Sequence, residues 1–234
     1  MIKEARNKEG VDGRIVTFAD SSSHIAEEFK MLRTNLYFLS PEKHLKTITI
    51  TSSQLEEGKT IIASNLAAVL SLDTEKKTLL IDADLRKPKI HTLFGIPQKP
   101  GLCDILKGST PFEYFLKKPA VENLYIIPSG ASMDNPSQIL ASTKIGELLE
   151  HLKARFDYII LDTPPALNVA DAGIFGSLCD AVFLVVKAGV TPRNMIEEGF
   201  NLLKDAQAQP KACILNDVPV PLNYFLTKYE KYYG

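Results

Sequence analysis

Gly58-Lys59-Thr60 is a triplet whose residue types and order suit phosphate chemistry. A glycine lets backbone approach an anion closely, a lysine reaches terminal phosphate oxygens, and a threonine hydroxyl can ligate Mg²⁺. The triplet follows an apolar, β-branched run at 47–52 and opens an apolar helical run that begins Ile61-Ile62-Ala63. The start of that helix adds N–H donors and a dipole that favours negative charge. Only the last three positions of the phosphate-loop pattern are intact in Ser53-Gln54-Leu55-Glu56-Glu57-Gly58-Lys59-Thr60. So short a match is weak alone, and a lysine at an ordinary helix start is the bland alternative. Context has to decide.

Carboxylates supply that context. The apolar run Thr78-Leu79-Leu80-Ile81 ends in Asp82-Ala83-Asp84-Leu85-Arg86, and Tyr158-Ile159-Ile160-Leu161 ends in Asp162-Thr163-Pro164-Pro165. Acids at strand ends downstream of a phosphate loop can hold a metal ion, directly or through water, or accept a proton. A solvated strand end is the competing reading. Arg86 is placed to pair with Asp84 or with a phosphate, and the two readings stand equal. Asp171, near the start of a later helix, is either an acid facing the same site or a helix-start acid favoured by the dipole.

These residues need a scaffold that brings them together. Apolar runs at about 47–52, 78–82, 124–127, 157–161, 181–186 and 212–215 read as strands, with helical patterns near 59–71, 137–153, 169–178 and 192–206. Strands alternating with helices predict an α/β fold of three layers, a mostly parallel central sheet with helices on both faces. Such sheets bind ligands beyond the carboxyl ends of their strands. Residues 1–20 show little periodicity and read as a flexible lead-in. Ser21-Ser22-Ser23 then caps a helix carrying Ile25, Phe29, Leu32 and Leu36, which Pro41 ends. Residues 219–234 leave the strand–helix rhythm and carry Tyr224, Tyr229, Tyr232 and Tyr233, half of the eight tyrosines.

Other classes fare poorly. A net charge of −1 gives no global basic field for nucleic acid or membrane. No apolar run approaches the ~18–20 residues of a membrane span, and the first twenty residues lack a signal-peptide core. Cys103, Cys179 and Cys213 form no C-x-x-C pair and read as reduced thiols of a cytosolic protein. His24, His44, His91 and His151 lack metal-ligand spacing.

Taken together, the chain resembles the bacterial tyrosine kinases of capsule and exopolysaccharide synthesis, relatives of the partition and cell-division-site ATPases. The resemblance spans about residues 21–234. It rests on E-E-F-K-M-L-R-T-N-L at 27–36, L-L-I-D-A-D-L-R-K-P at 79–88, N-P-S-Q-I-L-A-S at 135–142, F-D-Y-I-I-L-D-T-P-P at 156–165 and the closing tyrosines. It implies a P-loop NTPase fold at 21–218, binding ATP and Mg²⁺, with a tyrosine-rich tail at 219–234. Glu57, Gly58, Lys59, Thr60, Ile61 and Arg86 would border the nucleotide. Thr60, Asp82, Asp84 and Asp162 would serve the metal, with Lys59, Asp82, Asp84 and Asp162 catalytic and Asp82 the base. Tyr224, Tyr229, Tyr232 and Tyr233 would accept phosphate. Glu27, Lys30 and Arg33 would form the contact of a ring-like homo-oligomer. The implied partners are a transmembrane polysaccharide co-polymerase that activates the kinase and a phosphotyrosine phosphatase. The implied location is cytoplasmic, held at the inner face of the membrane through that partner.

The chain departs from the family pattern at three places. Leu55 and Glu56 stand where proline and glycine are usual, Ile61 where a small hydroxyl residue is common, and Lys30 where an arginine is expected. A left-handed backbone at Glu56 would cost about 1–2 kcal/mol, and lysine lacks the bidentate fork of arginine. Two other functions therefore stay open: a nucleotide-binding regulator that has lost catalysis, and an ATP-driven switch of the partition or division-site class. The switch reading expects a second lysine early in the loop, which residues 53–57 lack.

Overall fold

The computed structural model describes residues 10–40, 44–108, 110–131, 140 and 143–219. Six strands form one sheet: β1 (Thr47–Ser52), β2 (Thr78–Asp82), β3 (Leu124–Ile127), β4 (Tyr158–Asp162), β5 (Ala181–Lys187) and β6 (Pro210–Asn216). Their order is β3-β2-β4-β1-β5-β6, and every pairing between them is parallel. β1, β2 and β4 are buried along their whole length, as strands covered on both faces must be.

Successive residues of one strand serve opposite layers. Leu80, Tyr158 and Ile160 join Ile48, Ile50 and Leu66 on one face, while Leu79, Ile81, Ile159 and Leu161 join Leu149, Leu152 and Phe175 on the other. The first layer is closed by α1 (Val16–Ala19), α2 (His24–Leu39) and α3 (Lys59–Leu70). The short helices α4 (Ile90–Leu93) and α5 (Leu102–Lys107) follow β2. The other face carries α6 (Lys144–Lys153) and α7 (Asp171–Leu178), and α8 (Arg193–Asp205) lies between β5 and β6. α3 is apolar on nearly every side because it is sunk against β1, β2 and β4.

Two expectations need correction. The low periodicity of residues 1–20 hides a fixed segment, because Val11, Ile15 and Val16 are buried in the core. Asn65 of α3 holds this segment: its side-chain oxygen accepts the Thr17 N–H at 3.2 Å and its amide donates to the Arg14 carbonyl at 2.9 Å. A segment pinned by hydrogen bonds to another element needs no period of its own. On α2 the Ser23 hydroxyl accepts the Ala26 N–H as the expected cap, worth about 1 kcal/mol. Its buried side is Ala26, Phe29 and Leu36, whereas Ile25 is 46% exposed and Phe38 75% exposed. The helix expected at 137–153 is α6 from Lys144; its earlier part, Leu140 and Thr143 apart, and the tail tyrosines lie outside the described residues.

Candidate functional site

The strand order sets β1 beside β4 and β4 beside β2, so three adjacent strands end at one edge. The loop after β1 carries Ser53 to Gly58, β2 ends at Asp82 and β4 ends at Asp162. Asp82 and Asp162 are register partners across the β2–β4 pair. The acids and the phosphate loop, far apart in sequence, thus meet.

Gly58 starts α3 with φ of 92°, a left-handed conformation that suits glycine. Space forbids anything larger as well, since a Cβ there would lie 2.1 Å from the Asn216 amide nitrogen. Lys59 Nζ lies 3.1 Å from Asp84 Oδ2, with both side chains largely buried. Asp84 Oδ1 also accepts the Lys87 N–H at 3.0 Å. Thr60 is buried in the first turn of α3, and Ile61 is half-buried against the core.

Asp82 and Asp162 are fully buried. Asp82 Oδ2 accepts the Ile90 N–H at 3.1 Å, but among the described residues its Oδ1 and both oxygens of Asp162 make no well-formed hydrogen bond. Burial, then the charge of Asp162, pushes the Asp82 carboxyl well above the usual range. Burial lifts Asp162 to about 6, with the Lys59 charge and the neighbouring Thr60 hydroxyl, which lies near it without a well-formed hydrogen bond, pulling the other way. Orphaned buried carboxylate oxygens are costly unless something compensates them. Among the described residues no group of three or more His, Cys, Asp or Glu forms a metal cage. Mg²⁺ does not need one, as it keeps water and phosphate ligands and takes one or two carboxylates. The donor set of the Thr60 hydroxyl with the free oxygens of Asp82 and Asp162 fits that ion.

Arg86 Nε lies 3.3 Å from Asp171 Oδ2, and Asp171 is buried at the first residue of α7. The two are tied to each other at the rim of the site. Glu27, Lys30 and Arg33 sit on α2 and make contacts within the chain. Lys30 Nζ is 2.6 Å from Glu27 Oε1 and donates to the Ser21 carbonyl, and Arg33 donates to the Val69 carbonyl at the end of α3.

Sequence reasoning missed two residues. Asn216, the last of β6, donates from Nδ2 to the Glu57 carbonyl at 2.9 Å. Thr191, in the turn after β5, donates its hydroxyl to the Glu57 carboxylate. Asn216 could have been found, because it is a polar residue ending an apolar strand as Asp82 and Asp162 are. Thr191 carries no such signal.

The family model described as an AAA domain matches residues 45–209. The putative tyrosine-protein kinase CapB of Staphylococcus aureus is 32% identical over 212 residues, 91% of each chain. The chain belongs to the bacterial tyrosine kinases. A second relative of this kinase, the tyrosine-protein kinase YwqD of Bacillus subtilis, is 34% identical over 86% of the present chain and 85% of its own. The kinase domain of the Escherichia coli tyrosine kinase ETK superposes with a TM-score of 0.83 at 27% identity, covering 92% of this chain and 86% of that one.

Within the kinase, the departure at Glu56 has a physical consequence. Its φ is 64° and its side chain is exposed, so the left-handed strain is present and nothing among the described residues explains it. Glu56→Gly is expected to stabilise the protein by about 1 kcal/mol, the relief of strain less the extra chain entropy of glycine. It should also tighten Mg·ATP binding, since one negative charge leaves the loop. Urea unfolding and calorimetric titration check both, and an unchanged midpoint together with unchanged affinity would show that the loop tolerates Glu56.

Proposed function

We propose that this chain is an ATP-dependent tyrosine autokinase whose acceptors are Tyr224, Tyr229, Tyr232 and Tyr233. The observation that carries the reading is the pair of buried acids, Asp82 and Asp162, whose oxygens lack well-formed hydrogen bonds among the described residues, with Lys59 and Thr60 beside Asp162. A stable core would not retain them without a task. Thr60, Asp82 and Asp162 would hold Mg²⁺, which would supply charge neutralisation at the β- and γ-phosphates. Lys59 would exchange Asp84 for phosphate oxygens and stabilise the charge that develops there. Asp82, with its raised affinity for a proton, would take the hydrogen of the incoming tyrosine hydroxyl as that oxygen bonds to phosphorus and the bond to ADP breaks.

The exposed apolar residues of α2, Met31, Tyr37 and Phe38 among them, together with Glu27, Lys30 and Arg33, support self-association through this helix. A tail would then be phosphorylated in a neighbouring subunit of a ring-like homo-oligomer. Among the described residues no helix is long and apolar enough to cross a membrane. Membrane attachment would come from a transmembrane co-polymerase that also activates the kinase, and a phosphotyrosine phosphatase would reset the tail. The output would be control of exopolysaccharide or capsule polymerisation and export.

Each phosphate adds about −1.5 to −2 charges, so a fully modified tail should repel an ATP-loaded site and loosen the ring. The test is incubation with ATP, Mg²⁺ and the cytosolic part of the activator, followed by phosphopeptide mapping and sizing of the oligomer. Changing all four tyrosines to phenylalanine should abolish self-phosphorylation and leave the oligomer assembled with ATP present. Absence of phosphotyrosine from this segment in the parent protein would sink the reading.

A further inference from the structure

We infer that Thr191 is a positioning residue for the phosphate loop, acting through Glu57, and that this clamp sets the affinity for the nucleotide triphosphate. The inference rests on the kinase reading for its ligand and on geometry for the rest.

Glu57 is only 3% exposed. Its Oε2 accepts the Gln54 N–H at 2.7 Å, which closes the loop upon itself. Its Oε1 accepts the Thr191 hydroxyl, and its carbonyl accepts the Asn216 amide. One loop residue is therefore gripped from the turn after β5 and from the end of β6. The direction of the Thr191 hydrogen bond is fixed by its own surroundings. Thr191 Oγ1 accepts the Lys187 N–H at 3.1 Å, so its single proton is left for Glu57. The Thr191 N–H donates to the Lys187 carbonyl at 3.1 Å, and Gly189, with φ of 68°, makes the tight return possible. The hydroxyl is thus presented from a closed turn rather than from a mobile side chain.

Such a clamp has a purpose in this loop. Glu56 and Gly58 both hold positive φ, and a backbone so arranged persists only where its neighbours over-determine it. Gly58 and Lys59 follow directly, so an error in Glu57 is passed to the residues that meet phosphate. Removing the hydroxyl would leave a buried carboxylate oxygen without its donor, and the carboxylate would swing toward water with the loop attached.

Thr191→Val keeps the side-chain shape and removes the donor; Thr191→Ser keeps the donor. The valine variant should weaken Mg·ATP binding about tenfold, seen in Kd and in KM, with a much smaller change in kcat. The serine variant should stay within about twofold of the parent. Glu57→Gln should show a similar loss, and the double variant should lose little more than either single one, because the two residues act as a unit. Amide exchange at Gln54 in nucleotide-free protein reports the clamp without ligand: it should speed up in Thr191→Val and not in Thr191→Ser. Parent-like exchange at Gln54 in the valine variant overturns the inference, as do additive losses in the double variant. Failure of the parent to bind Mg·ATP overturns the kinase reading instead, and the exchange measurement still decides the clamp.

Discussion

Lys59→Met is expected to cut tyrosine phosphorylation by about a hundred- to a thousandfold, the loss that follows removal of one preorganised donor from a site of developing negative charge. Methionine keeps the packing of the aliphatic stem, so the change reads the charge alone. A second effect should accompany the first. Lys59 and Asp84 form a pair 3.1 Å apart with side chains 13% and 4% exposed. Deleting one partner of a pair this enclosed leaves an uncompensated charge, and unfolding should become easier by about 3 kcal/mol. Adding Asp84→Asn to Lys59→Met should restore much of the lost stability while activity stays lost. Initial rates with labelled ATP and urea unfolding of the three variants make the comparison. Retention of phosphorylation within about tenfold in Lys59→Met would exclude this lysine from the phosphate site.

The same pair shows what could and could not be read from the sequence. The inner strands were legible because each is an apolar run sunk between two helical layers, and the burial of β1, β2 and β4 is that pattern in three dimensions, whereas edge strand β6 alternates half-buried and exposed residues. The acids at strand ends were legible because a carboxylate ending a buried run has little other reason to be there. Their adjacency follows from the strand order β3-β2-β4-β1-β5-β6, which the βα crossovers of a parallel sheet permit but do not by themselves determine. The partners of individual side chains were less accessible. Arg86 has Asp84 two residues away, yet its Nε meets Asp171, 85 residues on. Proximity along the chain carries little weight at a loop where the backbone turns between strand and helix. The segment around Val11 and Ile15 was opaque for a different reason. Its burial depends on Asn65, a polar residue inside an apolar helix, and no local period announces a contact made by one side chain to a distant backbone. Glu56 was legible as a departure, and its φ of 64° bears out the strain expected of a side chain in place of glycine.

Asp82→Asn should abolish most of the activity while making the resting protein more stable, two effects of opposite sign from one atom change. The activity loss is that of a general base, about a hundred- to ten-thousandfold. The stability gain follows from linkage. Burial and the neighbouring Asp162 raise the folded-state pKa of Asp82 above its unfolded value, so between those values the native state binds more protons than the unfolded chain. Stability therefore falls as pH rises through that window, and above it the ionised carboxylate exerts its full penalty. Asp162 acts with the same sign, from the ordinary carboxylate range up to about 6. An amide at position 82 has no such titration and no charge to set against Asp162. In metal-free buffer at pH 7–8 the variant should be more stable than the parent, because the amide carries no charge for burial and Asp162 to penalise. The gap should close as the pH is lowered to about 4, where the Asp82 carboxyl is protonated in the folded parent as well. Equilibrium unfolding across this range, with a chelator present, reads the effect directly. A parent as stable as Asp82→Asn at pH 8 would mean that the buried carboxylate is compensated in the resting protein, and the case for a site awaiting Mg²⁺ would lose its main support.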